Sequence, residues 1–241
     1  MYTYFLSLTS DIWTPAEDIL LSYVSPERHA RILRYVHMVD RKLSLYAALL
    51  IRMALLIHTS LTAKDLHFRC QGNHKPVLLT DSSIDFSFSH TRNAVLCCIS
   101  PDTTVGADVE LCSKAPYEIM DIVFHKEETA YVSAATETEK QERFFRIWTQ
   151  KEAYTKRNGT GLVCDLTNIN TLEPSIAASL HSWQTDNYIC SVCGNFAAPP
   201  IPQHVSTNDV FEFFTGRPFS HLSRCAKSIS HHKSVPPLPR Y

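Results

Sequence analysis

Val105-Gly106-Ala107-Asp108-Val109-Glu110-Leu111 reads as a β-strand in which apolar and polar residues alternate. With a repeat of two, Val105, Ala107, Val109 and Leu111 share one face, while Gly106, Asp108 and Glu110 share the other. The apolar face requires a core to cover it. The other face sets two carboxylates side by side, where they repel unless a divalent cation lies between them; the alternative is the solvated outer face of an edge strand. Upstream lie strand-like runs at 66–69, 76–79, 84–88 and 94–99, preceded by helical patterning over 26–58 in two pieces joined near His37–Asp40. Downstream, helical patterning covers 117–135 and 140–157, followed by strand-like runs at 166–171 and 187–192. Each half is helices followed by strands, which predicts an α+β fold of two lobes and not an alternating parallel sheet. The lobes divide as 1–103 and 104–198. Residues 199–241 hold 7 of the 13 prolines and read as a loosely ordered extension.

At 241 residues, 44% hydrophobic and 20% charged, the chain is long and apolar enough to bury a core in each lobe. Lys+Arg 23 against Asp+Glu 24 gives a net charge of −1, which excludes a wholly basic nucleic-acid binder, so any anion site must be a local cluster. One candidate lies in residues 26–42, where Arg28, Arg31, Arg34, Arg41 and Lys42 face only Glu27 and Asp40. That patch is either solvated surface or a site for a phosphate or an acidic partner. The 6 glycines leave no Walker-type phosphate loop and no dinucleotide fingerprint. No run approaches a membrane span, and Met1 to Ser7 read as a first strand and not as a secretory leader. The 8 cysteines are therefore expected as reduced thiols of a cytoplasmic protein. Cys97 and Cys98 are neighbours in one strand and should face opposite ways; Cys190-x-x-Cys193 has no second pair and sits in a strand-like run.

Two further constellations carry chemistry. In the helix over 140–157, Trp148, Glu152 and Lys156 recur every four residues and form one stripe, read either as an exposed ion pair beside a core tryptophan or as part of a site. Ser87-Phe88-Ser89-His90 ends a strand with a hydroxyl and an imidazole, and no G-x-S-x-G motif surrounds any serine, so a hydrolase triad is not indicated. Both groups are suited to phosphate oxygens.

Taken in order, Gly72-x-x-Lys75-Pro76, Phe86-Ser87-Phe88-Ser89-His90, Val105-Gly106-Ala107-Asp108-Val109-Glu110, Phe124 with Glu128, Trp148-Thr149-x-Lys151-Glu152-Ala153-x-x-Lys156 and Gly159-x-Gly161-Leu162 resemble the 4′-phosphopantetheinyl transferases. The likeness is to the long, surfactin-synthetase-type branch of the holo-acyl-carrier-protein synthase superfamily and covers roughly residues 1–195. It implies two similar pseudo-symmetric lobes, each with helices packed on a small, mostly antiparallel sheet. It also implies an enzyme that moves the 4′-phosphopantetheine arm of coenzyme A to a serine of an apo acyl or peptidyl carrier protein, with Mg²⁺, releasing 3′,5′-ADP. Carriers of fatty-acid, polyketide and nonribosomal-peptide synthesis all remain open. By the same resemblance Asp108, Glu110 and Glu152 hold the metal, and Glu152 is also the candidate base. Lys156 binds the α- or β-phosphate, with Lys151 nearby or paired to Glu128. Ser89 and His90 contact the coenzyme phosphates, His90 the 3′-phosphate together with Arg28 and Arg31, so that affinity should fall as His90 loses its proton. Lys75 and Pro76 lie on the adenine side, and Asp108 borders the coenzyme. The chain departs from the family where His74 replaces a glycine and Ala107 an isoleucine. Carrier docking is expected over 158–190 with help from Lys156 and Arg157, and two lobes in one chain suggest a monomer without nucleic-acid or membrane partners. A non-catalytic carrier- or nucleotide-binding module on the same scaffold, and a different Mg²⁺-dependent phosphotransferase, are the competing readings.

Overall fold

The first residues form β1 (Tyr2–Ser7), the first strand expected of them, and the rest of the N-terminal lobe folds over it. A computed structural model describes residues 1–69, 75–160 and 165–216. Three helices follow β1: α1 (Pro15–Leu20), α2 (Pro26–Arg34) and α3 (Met38–His58). Then come the short pair β2 (Phe68–Arg69) and β3 (Val77–Leu78), and the hairpin β4 (Asp85–Thr91) and β5 (Ala94–Ser100). The C-terminal lobe runs β6 (Gly106–Leu111), α4 (Met120–Val123), α5 (Lys126–Ser133), α6 (Glu137–Asn158), α7 (Pro174–Ala177), and the hairpin β7 (Leu180–Thr185) and β8 (Tyr188–Cys193). Proline at the start of α2 and a left-handed glycine, Gly159 at φ 70°, after α6 mark two of the helix ends.

The two lobes repeat one topology. In each, a first strand is followed by a long helix and then by a hairpin whose last strand inserts beside the first, giving the orders β4-β5-β1 and β7-β8-β6. All of these pairings are antiparallel. Both hairpins turn through two residues ending in asparagine, Arg92-Asn93 and Asp186-Asn187, with positive φ at the first (45° and 49°). The repeat lies in the backbone path and not in matching residues.

Helix α3 covers one face of the first sheet through Leu45, Leu49, Met53 and neighbours, and α6 packs on β6 and β8. The remaining faces meet at a shared core of Phe5, Ala94, Leu96 and Cys98 against Val105, Ala107, Val109, Cys190 and Val192. Cys97 instead points into the α3 core, so the adjacent cysteines face opposite ways as the alternation predicts. Cys97, Cys98, Cys112, Cys190 and Cys193 are free thiols, and Cys190 and Cys193 lie in β8, as expected of a strand. No helix among the described residues is long and apolar enough to cross a membrane.

Two expectations are corrected. Residues 203–215 are not a loose extension: β9 (Gln203–Val205) pairs in parallel with β1, and α8 (Thr207–Thr215) packs on α3 and α1. Val205, Val210 and Phe214 enter the first core, and the Ser206/Asp209 capping box opens the helix. The expected tail beyond 216 lies outside the described residues. Residues 166–171 are not a strand either, but a 3₁₀ turn over Leu166–Asn168 and an irregular segment, because side chains from α5 and α6 take their backbone groups.

Candidate active site

Strand β4 separates two polar regions, because its side chains alternate across the sheet. Asp85, Ser87, Ser89 and Thr91 face one way; Phe86, Phe88 and His90 face the other. The first set reaches the opposite lobe. Asp85 Oδ2 accepts the Val105 N–H at 2.7 Å, and Ser87 Oγ accepts the Ala107 N–H at 3.0 Å. Ser89 Oγ donates to Asp108 Oδ1 at 2.7 Å, and Thr91 Oγ1 donates to Glu110 Oε2 at 3.0 Å. A ladder of side chains thus joins two strands of different sheets and holds both carboxylates of the 105–111 motif.

Helix α6 closes on that face of β6 because Gly106 has no side chain. A Cβ there would fall 1.8 Å from the Ala153 carbonyl oxygen and 2.7 Å from the Arg157 nitrogen. This approach sets Glu152 and Lys156 against Asp108. Lys156 Nζ bonds Asp108 Oδ1 at 2.6 Å, lies 3.2 Å from Ser89 Oγ, and is 3.9 Å from Glu152 Oε2. Burial works against the ammonium, but Asp108, Glu152 and Glu110 outweigh it and raise its pKa, so it is charged at neutral pH. Burial, followed by the charge of Asp108, pushes Glu152 up to about 7 and raises Glu110 as well. The stripe Trp148–Glu152–Lys156 therefore belongs to the site: Glu152 and Lys156 stand against Asp108, and the Trp148 side chain hydrogen-bonds Glu110.

Among the described residues no three acidic, histidine or cysteine side chains stand close enough to grip an ion as they are; the Lys156 ammonium occupies Asp108 Oδ1. Two carboxylate oxygens, Asp108 Oδ2 and Glu152 Oε1, are nevertheless buried with no hydrogen-bond partner. Buried anionic oxygens are costly until a cation or donor completes them. Oxygens of this kind suit a hard divalent cation such as Mg²⁺, so the residues present fit the group that the motif implies.

On the other face of β4 lies a cleft of about 620 Å³, bounded by α2, α3, β2 and Pro76. Arg28, Arg31, Arg52, Arg69 and His90 line it, with Glu27 the one acidic residue and Tyr35, Phe68, Phe86 and Phe88 the aromatic ones among the described lining residues. The Arg28 guanidinium lies 6.0 Å from the Phe88 ring centroid and donates to the Ser44 carbonyl at 2.9 Å. Partial desolvation, then the charges of Arg28 and Lys156, lower the pKa of His90. An ion pair between its ring and a phosphate therefore calls for proton uptake.

The structure groups Ser89, Asp108, Glu110, Glu152 and Lys156 on one face, and Arg28, Arg31, Pro76 and His90 on the other. It does not bring the two remaining residues to either. Of the two places open to Lys151, at the coenzyme or paired to Glu128, the structure shows the second: it is buried at 1% exposure and paired with Glu128 at 2.7 Å. The helix turns about 100° per residue, so the neighbour of Glu152 faces away from the cluster. Its ammonium also donates to the carbonyls of Leu166 and Ile169, while Glu128 Oε1 accepts from the Thr171 N–H and hydroxyl at 2.7 Å each. Lys75, expected on the adenine side, pairs with Asp85 and donates to the Val105 carbonyl at 2.7 Å, bracketing the peptide that links the lobes. Of the basic run over 26–42, Lys42 is buried against Glu17 at 3.1 Å and Arg41 donates to the Tyr35 carbonyl at 2.7 Å, so neither adds to the cleft. Arg157 donates to Asn195 at 3.3 Å. Gly72, His74, Gly161 and Leu162 lie outside the described residues. Arg52, Arg69 and Thr91 were not singled out by motif; an arginine interrupting an apolar helix face was the available signal for Arg52.

Residues 104–198 match the family model of the 4'-phosphopantetheinyl transferase superfamily, and residues 11–101 match that of the 4'-phosphopantetheinyl transferase N-terminal region. The chain is 32% identical over 158 residues to 4'-phosphopantetheinyl transferase gsp of Aneurinibacillus migulanus, covering 66% of this chain and 65% of that protein. It is 28% identical over 142 residues to 4'-phosphopantetheinyl transferase Sfp of Bacillus subtilis (strain 168), covering 59% and 63%. The matched stretch thus spans less than two thirds of these relatives. The crystal structure of Thermotoga maritima holo-[acyl-carrier-protein] synthase overlaps 38% of this chain and 62% of that one, at 19% identity and a TM-score of 0.33, too loose a fit to carry weight.

Proposed function

The chain belongs to the 4′-phosphopantetheinyl transferase superfamily, and from that premise we propose that it transfers the 4′-phosphopantetheine arm of coenzyme A to a serine hydroxyl of an apo carrier protein, releasing 3′,5′-ADP. One observation carries the reading: a single strand, β4, divides a carboxylate–lysine cluster from a basic, aromatic-lined cleft. A coenzyme has two ends of matching chemistry, a diphosphate and a phosphorylated nucleoside. The diphosphate belongs with the cluster and the nucleoside with the cleft.

Within this reading Asp108, Glu110 and Glu152 would hold Mg²⁺. Bound there, the ion neutralises charge building on the leaving diphosphate. Asp108 offers its partnerless Oδ2 and Glu152 its Oε1. Lys156 supplies a fixed positive charge beside them, and on binding its ammonium moves from Asp108 to a phosphate oxygen. Ser89 hydrogen-bonds Asp108 and holds that carboxylate in place. The proton of the carrier serine passes to Glu152, directly or through a water, from its place beside Asp108 and Lys156. Arg28, Arg31 and His90 take the phosphate of the nucleoside end, and Phe68, Phe86 and Phe88 give the adenine apolar surface. Most of the rate then comes from positioning and electrostatics, since the chain forms no covalent bond to substrate. Both ends of the site come from one chain, which supports a monomer as the working unit. The test mixes the protein with Mg²⁺, coenzyme A and an apo carrier and weighs the carrier by mass spectrometry. A gain equal to the arm is expected, lost in Asp108→Ala; no gain with any acyl or peptidyl carrier would reject the assignment.

A further inference from the structure

Three cations are buried among the described residues: Lys42, Arg52 and Lys151, at 5%, 4% and 1% exposure. Two of them have a carboxylate at hand, Lys42 with Glu17 at 3.1 Å and Lys151 with Glu128 at 2.7 Å. Arg52 has none. No aspartate or glutamate among the described residues forms an ion pair with it, and those residues include every aspartate and glutamate of the chain. Its guanidinium lines the 620 Å³ cleft, lies 5.6 Å from the Phe68 ring centroid, and donates one long bond of 3.4 Å to the Leu66 carbonyl. Burial pushes its pKa down to about 10, which still leaves it charged at neutral pH. A buried cation with no counter-charge, held against an aromatic wall and open to a cavity, is stabilised by an anion that enters that cavity.

We infer that Arg52, standing behind Arg28, Arg31 and His90, is the buried contact that sets how strongly the cleft prefers a ligand with a phosphate monoester on its ribose. The inference rests on the coenzyme reading above, which assigns the diphosphate to the opposite face of β4 and so leaves a separate phosphate for the cleft. Arg31 and Arg69, which also line it, are exposed and screened by water, and Arg28 is half-buried and already donates to the Ser44 carbonyl at 2.9 Å, whereas Arg52 is deep. Its planar fork can take two phosphate oxygens at once, while Phe68 fixes its plane. A ligand lacking that phosphate leaves the guanidinium buried without a counter-charge, so rejection of the unphosphorylated analogue follows from the same contact.

The experiment is calorimetric titration of 3′,5′-ADP and 5′-AMP into the wild-type chain, Arg52→Met and Arg52→Lys, with circular dichroism confirming the fold of each. Wild type should prefer 3′,5′-ADP by at least tenfold. Arg52→Met should reduce that preference below threefold, by weakening 3′,5′-ADP and leaving 5′-AMP nearly unchanged. Arg52→Lys, which keeps the charge and loses the fork, should fall between them and carries the test if the methionine variant does not fold. A preference retained in full by either folded variant overturns the role of Arg52 and leaves the coenzyme reading intact. Equal affinity of the wild type for both nucleotides, or no binding of either, overturns the coenzyme reading itself and the inference with it.

Discussion

Replacing Gly106 with alanine should disable the site while leaving every proposed ligand in the sequence. The added Cβ would lie 1.8 Å from the Ala153 carbonyl oxygen, 2.7 Å from the Arg157 nitrogen and 2.8 Å from the Ala153 carbonyl carbon. All three are backbone atoms of α6, so no side-chain rotation relieves the clash. The helix must retreat from β6 by more than ~1 Å, and Glu152 and Lys156 move with it. The 2.6 Å contact from Lys156 to Asp108 then lengthens past hydrogen-bonding range. A displacement of ~1 Å in catalytic groups costs about 100-fold in rate, and overpacking of this kind costs ~1–3 kcal/mol in stability. For a chain of this length that corresponds to a fall in melting temperature of roughly 3–10 °C. The assay measures kcat/KM for arm transfer to an apo carrier, alongside thermal unfolding. Gly194→Ala is the control, because its Cβ meets nothing nearer than 3.4 Å and should alter neither quantity. A Gly106→Ala protein within threefold of wild-type activity would refute the claim that contact between β6 and α6 sets the site.

Lys151→Met leaves Glu128 buried without its cation and should cost ~3–5 kcal/mol of stability by denaturant unfolding, whereas Lys151→Met with Glu128→Gln should recover much of the loss. His58 is partly buried, with its Nε2 2.6 Å from the Tyr4 hydroxyl, and burial lowers its pKa to about 4. Because the folded state binds that proton more weakly than the unfolded chain, melting temperature should fall as pH drops from about 6.5 toward 4, and His58→Gln should flatten that slope. The lowered pKa of His90 means that phosphate binding draws a proton from solvent, so coenzyme A affinity measured by titration should fall as pH rises. A profile unchanged in His90→Gln would contradict that linkage.

The parts of the site that lie within one element were legible in the chain itself. Alternation over 105–111 set Asp108 and Glu110 on one face, and the four-residue spacing set Glu152 above Lys156. Alternation over 84–90 was equally visible, but not that Ser87, Ser89 and Thr91 reach a strand of the other sheet, because cross-strand partners carry no local mark. Nearness to Glu152 in sequence left Lys151 with two placements, and the turn of the helix decides for the pair with Glu128, since one residue along a helix turns the side chain away. Residues 166–171 have strand-like composition, yet Lys151 and Glu128, distant in the chain, take their backbone groups. The Ser206–Asp209 capping box was present in the sequence and was obscured by the prolines on either side of it. Arg52 showed only as a break in an apolar run; its meaning depends on the cleft, which forms from four separate segments.

The account rests on carboxylates of β6 and α6 sharing one divalent cation with the coenzyme. Electron paramagnetic resonance of Mn²⁺, standing in for Mg²⁺ and titrated in the presence of coenzyme A, addresses this without relying on turnover. One bound ion per chain is expected, lost in both Asp108→Ala and Glu152→Ala while the variants remain folded. Full Mn²⁺ binding in either variant would contradict the shared site.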